Sequence, residues 1–127
     1  MILAAEKFGI KAFRQNKITG IFAEAPHCRQ CEQGQTITKL GAIGVRITQG
    51  VTYHGFAFNV CPNLDHYKLI VPCGMANLPP CSIESLLEPA DDTCKSSDNF
   101  DKITTMIKAQ SALSEAFCKV FDYKIVT

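Results

Sequence analysis

The 127-residue chain carries no excess of charge of either sign. Thirteen Lys and Arg face twelve Asp and Glu, for a formal net charge of +1. That balance offers no counter-charged face to nucleic acid or to an anionic membrane, so neither is expected as a partner. Long apolar runs are missing as well, and no stretch is long enough to span a bilayer. The apolar opening Met1-Ile2-Leu3-Ala4-Ala5 meets Glu6 and Lys7 at once. It is too short for the apolar centre of a signal peptide, and no Arg-rich, acid-poor transit segment is present. There is no internal repeat and no low-complexity tract. Half of a zinc set is lacking too. His27-Cys28-x-x-Cys31 offers paired thiols, but no second CxxC or HxxxH lies nearby. That motif therefore reads as a variable hairpin loop, and no metal or other cofactor is expected.

Cysteine itself is not scarce. The chain has seven: Cys28, Cys31, Cys61, Cys73, Cys81, Cys94 and Cys118. An odd number without a secretory signal favours reduced thiols in an intracellular compartment. The length suits a single domain, residues 1–127, with a modest core.

Taken in order, a short helix over Met1–Phe8 is expected to stop at Gly9. Strands follow over Ile10–Arg14 and Ile18–Ala23, with a turn at Gln15-Asn16-Lys17. Ser82 can cap a short helix running through Leu87. Residues 88–98 are polar, with Pro, Asp and Ser, and read as a surface connection. Asn99 can cap a final helix with Asp101 in its first turn. Phe100, Ile103, Ile107, Leu113, Phe117 and Phe121 recur there at helical spacing, which predicts an apolar stripe laid on a sheet.

The richest stretch runs from Thr36 to Met75. A first long strand, Thr36–Thr48, alternates so that Ile37, Lys39, Gly41, Ile43, Val45 and Ile47 share one face. Only Lys39 breaks the apolar character of that face. Desolvation disfavours an ammonium, so a lysine in such a place can act as a base or stabilise a neighbouring thiolate. The blander reading is a lysine near a strand's start that reaches out to water. Gly41 and Gly44 mark a bulge or a close approach of something to the backbone. Gln49-Gly50 supplies a hairpin turn, and Val51–Val60 returns antiparallel. On that second strand Gly55 and Ala57 alternate with Phe56 and Phe58, giving one small face that includes Asn59 and one bulky face. A short third strand is expected over Leu69-Ile70-Val71. It ends in Pro72-Cys73-Gly74, which would hold the Cys73 thiol on a defined turn. A lone cysteine is most often an inert small hydrophobe; the nearby lysine makes this one a candidate nucleophile.

Three motifs stand in order at matched spacing: K-x-x-A-I-G-V-R from Lys39, H-G-F-A-x-N from His54, and I-V-P-C-G from Ile70. Together they resemble the octanoyltransferases, also called lipoyl(octanoyl) transferases or lipoate–protein ligase B. Gly20-Ile21 is similar to that family's T-G-V-W stretch. The resemblance implies a biotin–lipoate ligase-like α+β fold, a mixed sheet with packed helices. It also implies that the chain is the carboxy-terminal portion, incomplete at the amino end. The upstream glycine-rich R-G-G…T-Y-H-G-P-G-Q loop that walls the family's pocket is not in this sequence.

The implied activity moves an octanoyl group from acyl carrier protein to a lysine on lipoyl domains of 2-oxoacid dehydrogenases, or on the glycine-cleavage H protein. Cys73 would carry the acyl group as a thioester, and Lys39 would favour the thiolate and move protons. Ala42, Ile43 and Gly44, with Gly55, Phe56 and Ala57, would line the acyl chain and its carbonyl. The implied compartment is mitochondrial, or cytoplasmic for a bacterial protein. The competing reading is a catalytically inactive homologue that only binds acyl carrier or lipoyl domains. An incomplete sheet also leaves an unpaired edge, which predicts poor solubility of the isolated chain.

Overall fold

The computed structural model describes residues 1–25, 36–74, 77–87 and 101–124, with Cys73 described in its backbone only. The expected His27-Cys28-x-x-Cys31 loop, the 88–98 connection, Asn99 and Phe100 lie outside the described residues. The architecture is α+β, as expected. One antiparallel sheet runs β1 (Ala12–Gln15), β2 (Ile18–Glu24), β3 (Ile37–Thr48) and β4 (Val51–Phe58), in spatial order β1-β2-β3-β4. Among the described residues three α-helices accompany it: α1 (Ile2–Glu6), α2 (Ile83–Leu87) and α3 (Lys102–Phe121).

Turn chemistry sets much of this. Gln49 and Gly50 both hold positive φ, 51° and 77°, and Thr48 pairs directly with Val51. That is a two-residue loop of the type whose twist matches the strands it joins. Gly9, at φ 73°, ends α1, with its N–H donating to the Glu6 carbonyl. At α2, Ser82 and Ser85 cap each other: Ser85 N–H donates to Ser82 Oγ at 3.1 Å, and Ser82 N–H to Ser85 Oγ at 2.9 Å. This reciprocal arrangement satisfies two otherwise orphaned donors.

The core sits on one face of the β1–β3 half of the sheet. Ala5, Ile10, Ile21, Leu40, Val60 and Ile83 are among its buried members. A bulge interrupts β3 here. Phe22 pairs with Lys39 while its neighbour Ile21 pairs with Gly41, so Leu40 is an extra residue opposite β2. Consecutive residues of β2 point to opposite faces. Lys39 and Gly41 therefore lie on opposite faces, although simple alternation puts them together. Leu40 takes the core side and is fully buried.

Three further expectations are corrected. The large apolar residues of α3 are not its buried stripe. Ala109, Ala112 and Ala116 are buried, at helical spacing, while Ile103, Ile107, Phe117 and Phe121 are exposed. Ala109 belongs to the same buried cluster as Ala5 of α1, and small side chains let two helices approach closely. Asp101 is the N-cap of α3 rather than a first-turn residue, its carboxylate accepting from the N–H groups of Ile103 and Thr104. Lastly, no strand forms over Leu69–Val71. Asn63 Oδ1 accepts from Asp65 N–H at 3.0 Å and starts a 3-10 helix over Leu64–Leu69. Only Ile70 and Val71 then remain before the next 3-10 turn, Pro72–Gly74, and both are exposed.

The outer half of the β3–β4 hairpin carries large apolar residues that stay substantially exposed. Ile47 is 71% exposed, Val51 54% and Phe56 46%. Among the described residues no helix is long and apolar enough to cross a membrane.

Candidate active site

Lys39 is held at its backbone from both sides. On one edge it pairs with Phe22 of β2. On the other edge its N–H donates to Pro79 O at 2.9 Å, and its carbonyl accepts from Cys81 N–H at 3.0 Å. These bonds form a parallel bridge between Lys39 and Pro80. Proline fits there because the residues on either side of it supply the donor and acceptor. Its side chain is 9% exposed and lies along Gly20. A methyl group placed on Gly20 would stand 2.9 Å from Lys39 Cε and 3.5 Å from Nζ. The expectation of a buried lysine holds, but its face is not that of Ile43, Val45 and Ile47.

The bulge instead brings Lys39 onto the face of the small residues. Ala42 pairs with Ala57 and Gly44 with Gly55, one and three pairs beyond Gly41. Alternation from Gly41 puts these four on the face opposite it, the Lys39 face. A Cβ at Gly44 or Gly55 would meet nothing within 4 Å, so the row is open. Ile43 and Phe56 pair with each other on the other face. Of the six expected wall residues, four thus share a face with Lys39 and two do not. Gly41 is not part of an open wall, because the Met1 thioether would stand 2.9 Å from its Cβ.

Cys73 lies in the Pro72–Gly74 turn, closed by Gly74 N–H donating to Val71 O at 3.2 Å, with Gly74 at φ 69°. The positive φ explains why glycine follows the cysteine. The Cys73 side chain falls outside the described residues. The turn is not part of the sheet, contrary to expectation. Its connection to Lys39 runs along the chain, which reaches the lysine's backbone at Pro79–Cys81.

Alternation alone does not reveal the role of Asn59. Its N–H donates to Leu40 O at 3.0 Å, its Nδ2 donates to Cys81 O at 2.9 Å, and its carbonyl accepts from Ile83 N–H at 2.9 Å. Tyr67 Oη–H reaches its Oδ1 at 3.4 Å. One residue, through its backbone and side chain together, thereby ties the end of β4, the bulge and the segment bonded to Lys39. Only the motif H-G-F-A-x-N, read as a unit, pointed to it. His66 is exposed, with its Nε2 3.5 Å from Asn63 Nδ2. No group of three or more metal-ligating side chains occurs among the described residues. Two hollows, of about 410 and 400 Å³, lie against α3 and beside α2, and Lys39 lines neither.

The sequence matches the family described as lipoyl protein ligase A/B catalytic domain over residues 1–112. The chain belongs to the lipoyl protein ligase A/B catalytic-domain family. Curated relatives of this ligase A/B domain include the octanoyltransferase of Synechococcus sp. (strain JA-2-3B'a(2-13)), 35% identical over 114 residues, or 90% of this chain and 34% of that protein. The octanoyltransferase of Sphingopyxis alaskensis is 41% identical over 86 residues, 68% of this chain and 36% of its own length. That of Clostridium kluyveri is 34% identical over 116 residues, 87% of this chain and 45% of its own. The chain thus spans from about a third to a little under half of the length of these relatives.

Proposed function

We propose that this ligase A/B domain transfers an octanoyl group from acyl carrier protein to a lysine of lipoyl domains or of the glycine-cleavage H protein. The observation that carries the reading is the anchoring of Lys39. It is buried, faces an open row of small residues, and is bonded through its backbone to the segment that follows the Cys73 turn. Its relatives carry the name octanoyltransferase.

The chemistry runs in two exchanges. The Cys73 thiolate attacks the thioester carbonyl of the donor; a new C–S bond forms, and the carrier's thiol leaves and takes up a proton. The lysine amine of the acceptor then attacks the Cys73 thioester, forming an amide, and Cys73 leaves as the thiolate. An ammonium beside a thiol favours the thiolate, and the same lysine can pass the proton to the leaving thiol. Splitting one transfer between two macromolecules into two steps is what covalent catalysis provides. The row Ala42, Gly44, Gly55 and Ala57 leaves space along which an eight-carbon chain can lie. The acyl group arrives activated, so no nucleotide is consumed.

The test is intact-protein mass after incubation with octanoyl–acyl carrier protein. The wild type is expected to gain one hydroxylamine-labile octanoyl group, Cys73→Ser none, and Lys39→Ala much less at equal folding. A folded wild type that gains nothing refutes activity of this chain and leaves a binding homologue as the alternative.

A further inference from the structure

The Cys73 turn stands in an excursion that leaves the sheet after Phe58 and returns to it at Pro80, which bridges to Lys39. Asn59 is the first residue of that excursion, and its side chain holds both arms. On the return arm its Nδ2 donates to Cys81 O at 2.9 Å, eight residues after Cys73. On the outgoing arm Tyr67 Oη–H donates to its Oδ1 at 3.4 Å, six residues before Cys73. A carbonyl only accepts and Nδ2 only donates, so the orientation of the amide is fixed. Neither a carboxylate nor an apolar group of the same size can make both bonds.

Backbone bonds seat Asn59 itself. Its N–H donates to Leu40 O at 3.0 Å, next to Lys39, and its carbonyl accepts from Ile83 N–H at 2.9 Å. Leu40 and Ile83 are fully buried, so this seat belongs to the core. The Cys81 whose carbonyl Asn59 holds also gives its own N–H to Lys39 O at 3.0 Å. Lys39 and the Cys73 loop are thus referred to one side chain.

Bonds within the outgoing arm shape it without joining it to the sheet. Asp65 N–H donates to Asn63 Oδ1, Lys68 pairs with Asp65, Ile70 N–H donates to Tyr67 O, and Gly74 N–H to Val71 O. The Tyr67 hydroxyl reaches past them to the base of the loop. Fixing residues 67 and 81 shortens the free span around Cys73, and a shorter span between fixed ends has fewer conformations to sample. An ammonium favours a thiolate only over about 4–6 Å, so the pair depends on that restriction.

We infer that Asn59, with Tyr67, is a positioning residue: its side-chain amide clamps the two arms of the Cys73 loop and holds the Cys73 turn in place relative to Lys39. The inference rests on the pairing of Lys39 with Cys73 in the proposed transfer.

The test follows alkylation of Cys73 by iodoacetamide against pH, resolved by peptide mass on the 127-residue chain. The wild type should titrate below the ordinary thiol value of about 8.5. Asn59→Leu should move the profile up by on the order of one pH unit, and Tyr67→Phe should move it the same way by less. In a Lys39→Ala background neither substitution should move it further. Asp101→Ala, which removes the α3 cap and destabilises the fold, should leave the profile in place. Octanoyl adduct formation should slow in parallel with the shift. An Asn59→Leu profile equal to wild type at equal folding overturns the clamp, as does an equal shift without Lys39. If Asn59→Leu does not fold, Tyr67→Phe decides, and a wild-type profile there overturns the clamp. A wild type that titrates at the ordinary value overturns the clamp and the Lys39–Cys73 pairing together. A low wild-type profile with no octanoyl adduct refutes the transfer alone and leaves the clamp in place.

Discussion

Gly20→Ala tests the packing around Lys39 most directly. The position has φ 137°, a conformation L-residues rarely adopt. A Cβ there would stand 2.5 Å from the Gly41 carbonyl oxygen and 2.9 Å from Lys39 Cε. The lysine can swing aside, but the carbonyl cannot move without opening the β2–β3 ladder. Backbone strain of this kind costs on the order of 1–3 kcal/mol, and overpacking a similar amount. The sum, roughly 2–6 kcal/mol, is a large part of the 5–15 kcal/mol that holds a typical domain together. Urea unfolding should show that loss, and the melting temperature should fall by on the order of 10 °C. Octanoyl adduct formation should slow as well, because Lys39 is displaced. Gly44→Ala is the control. Nothing lies within 4 Å of its Cβ, so its stability should stay within about 0.5 kcal/mol of wild type. If Gly20→Ala unfolds with the wild type, or Gly44→Ala is as damaging, the close approach at Gly20 is wrong.

Other perturbations follow from single contacts. Thr38 is fully buried and donates from Oγ1 to Ala23 O at 3.0 Å; Thr38→Val should cost about 1–2 kcal/mol in urea unfolding, and no loss would refute that bond. Gln49 holds φ 51° at the first position of the β3–β4 turn, so Gln49→Asn should stabilise by about 0.5–1 kcal/mol and leave adduct formation unchanged. Hydrogen bonds from Thr104 hold the Asp101 carboxyl below its ordinary value of 3.8. A lowered folded-state value means that the cap stabilises α3 above pH 3.8 and is lost as pH falls through the lower value. Helical ellipticity should therefore drop on acidification below that point, and Asp101→Asn, which still caps, should flatten this part of the curve.

Local chemistry was legible in the sequence; tertiary choices were not. Gln49-Gly50, Gly9 and Ser82 each name a turn or cap through their own side chains or backbone freedom, and each appears where expected. The run Leu69-Ile70-Val71 looks like a strand by composition, yet the Asn63 cap upstream winds the chain first. In α3 the large side chains recur at the right spacing for a core stripe. The alanines win because they pack close to α1, and no window of α3 alone can reveal that. The site divides in the same way. Lys39 and the small residues were legible as motifs, whereas their common face depends on Leu40 bulging against β2, which only the partner strand reveals.

That bulge works like a reading frame. Substituting Leu40 removes packing from the core but leaves the count of residues intact. Deleting it removes the bulge and leaves Lys39 two places from Ala42, on the same face by plain alternation, while the core loses the Leu40 side chain. Were Leu40 instead kept and paired regularly, Lys39 and Ala42 would stand three places apart and face opposite sides, so the bulge rather than the length of the strand sets which way the lysine looks.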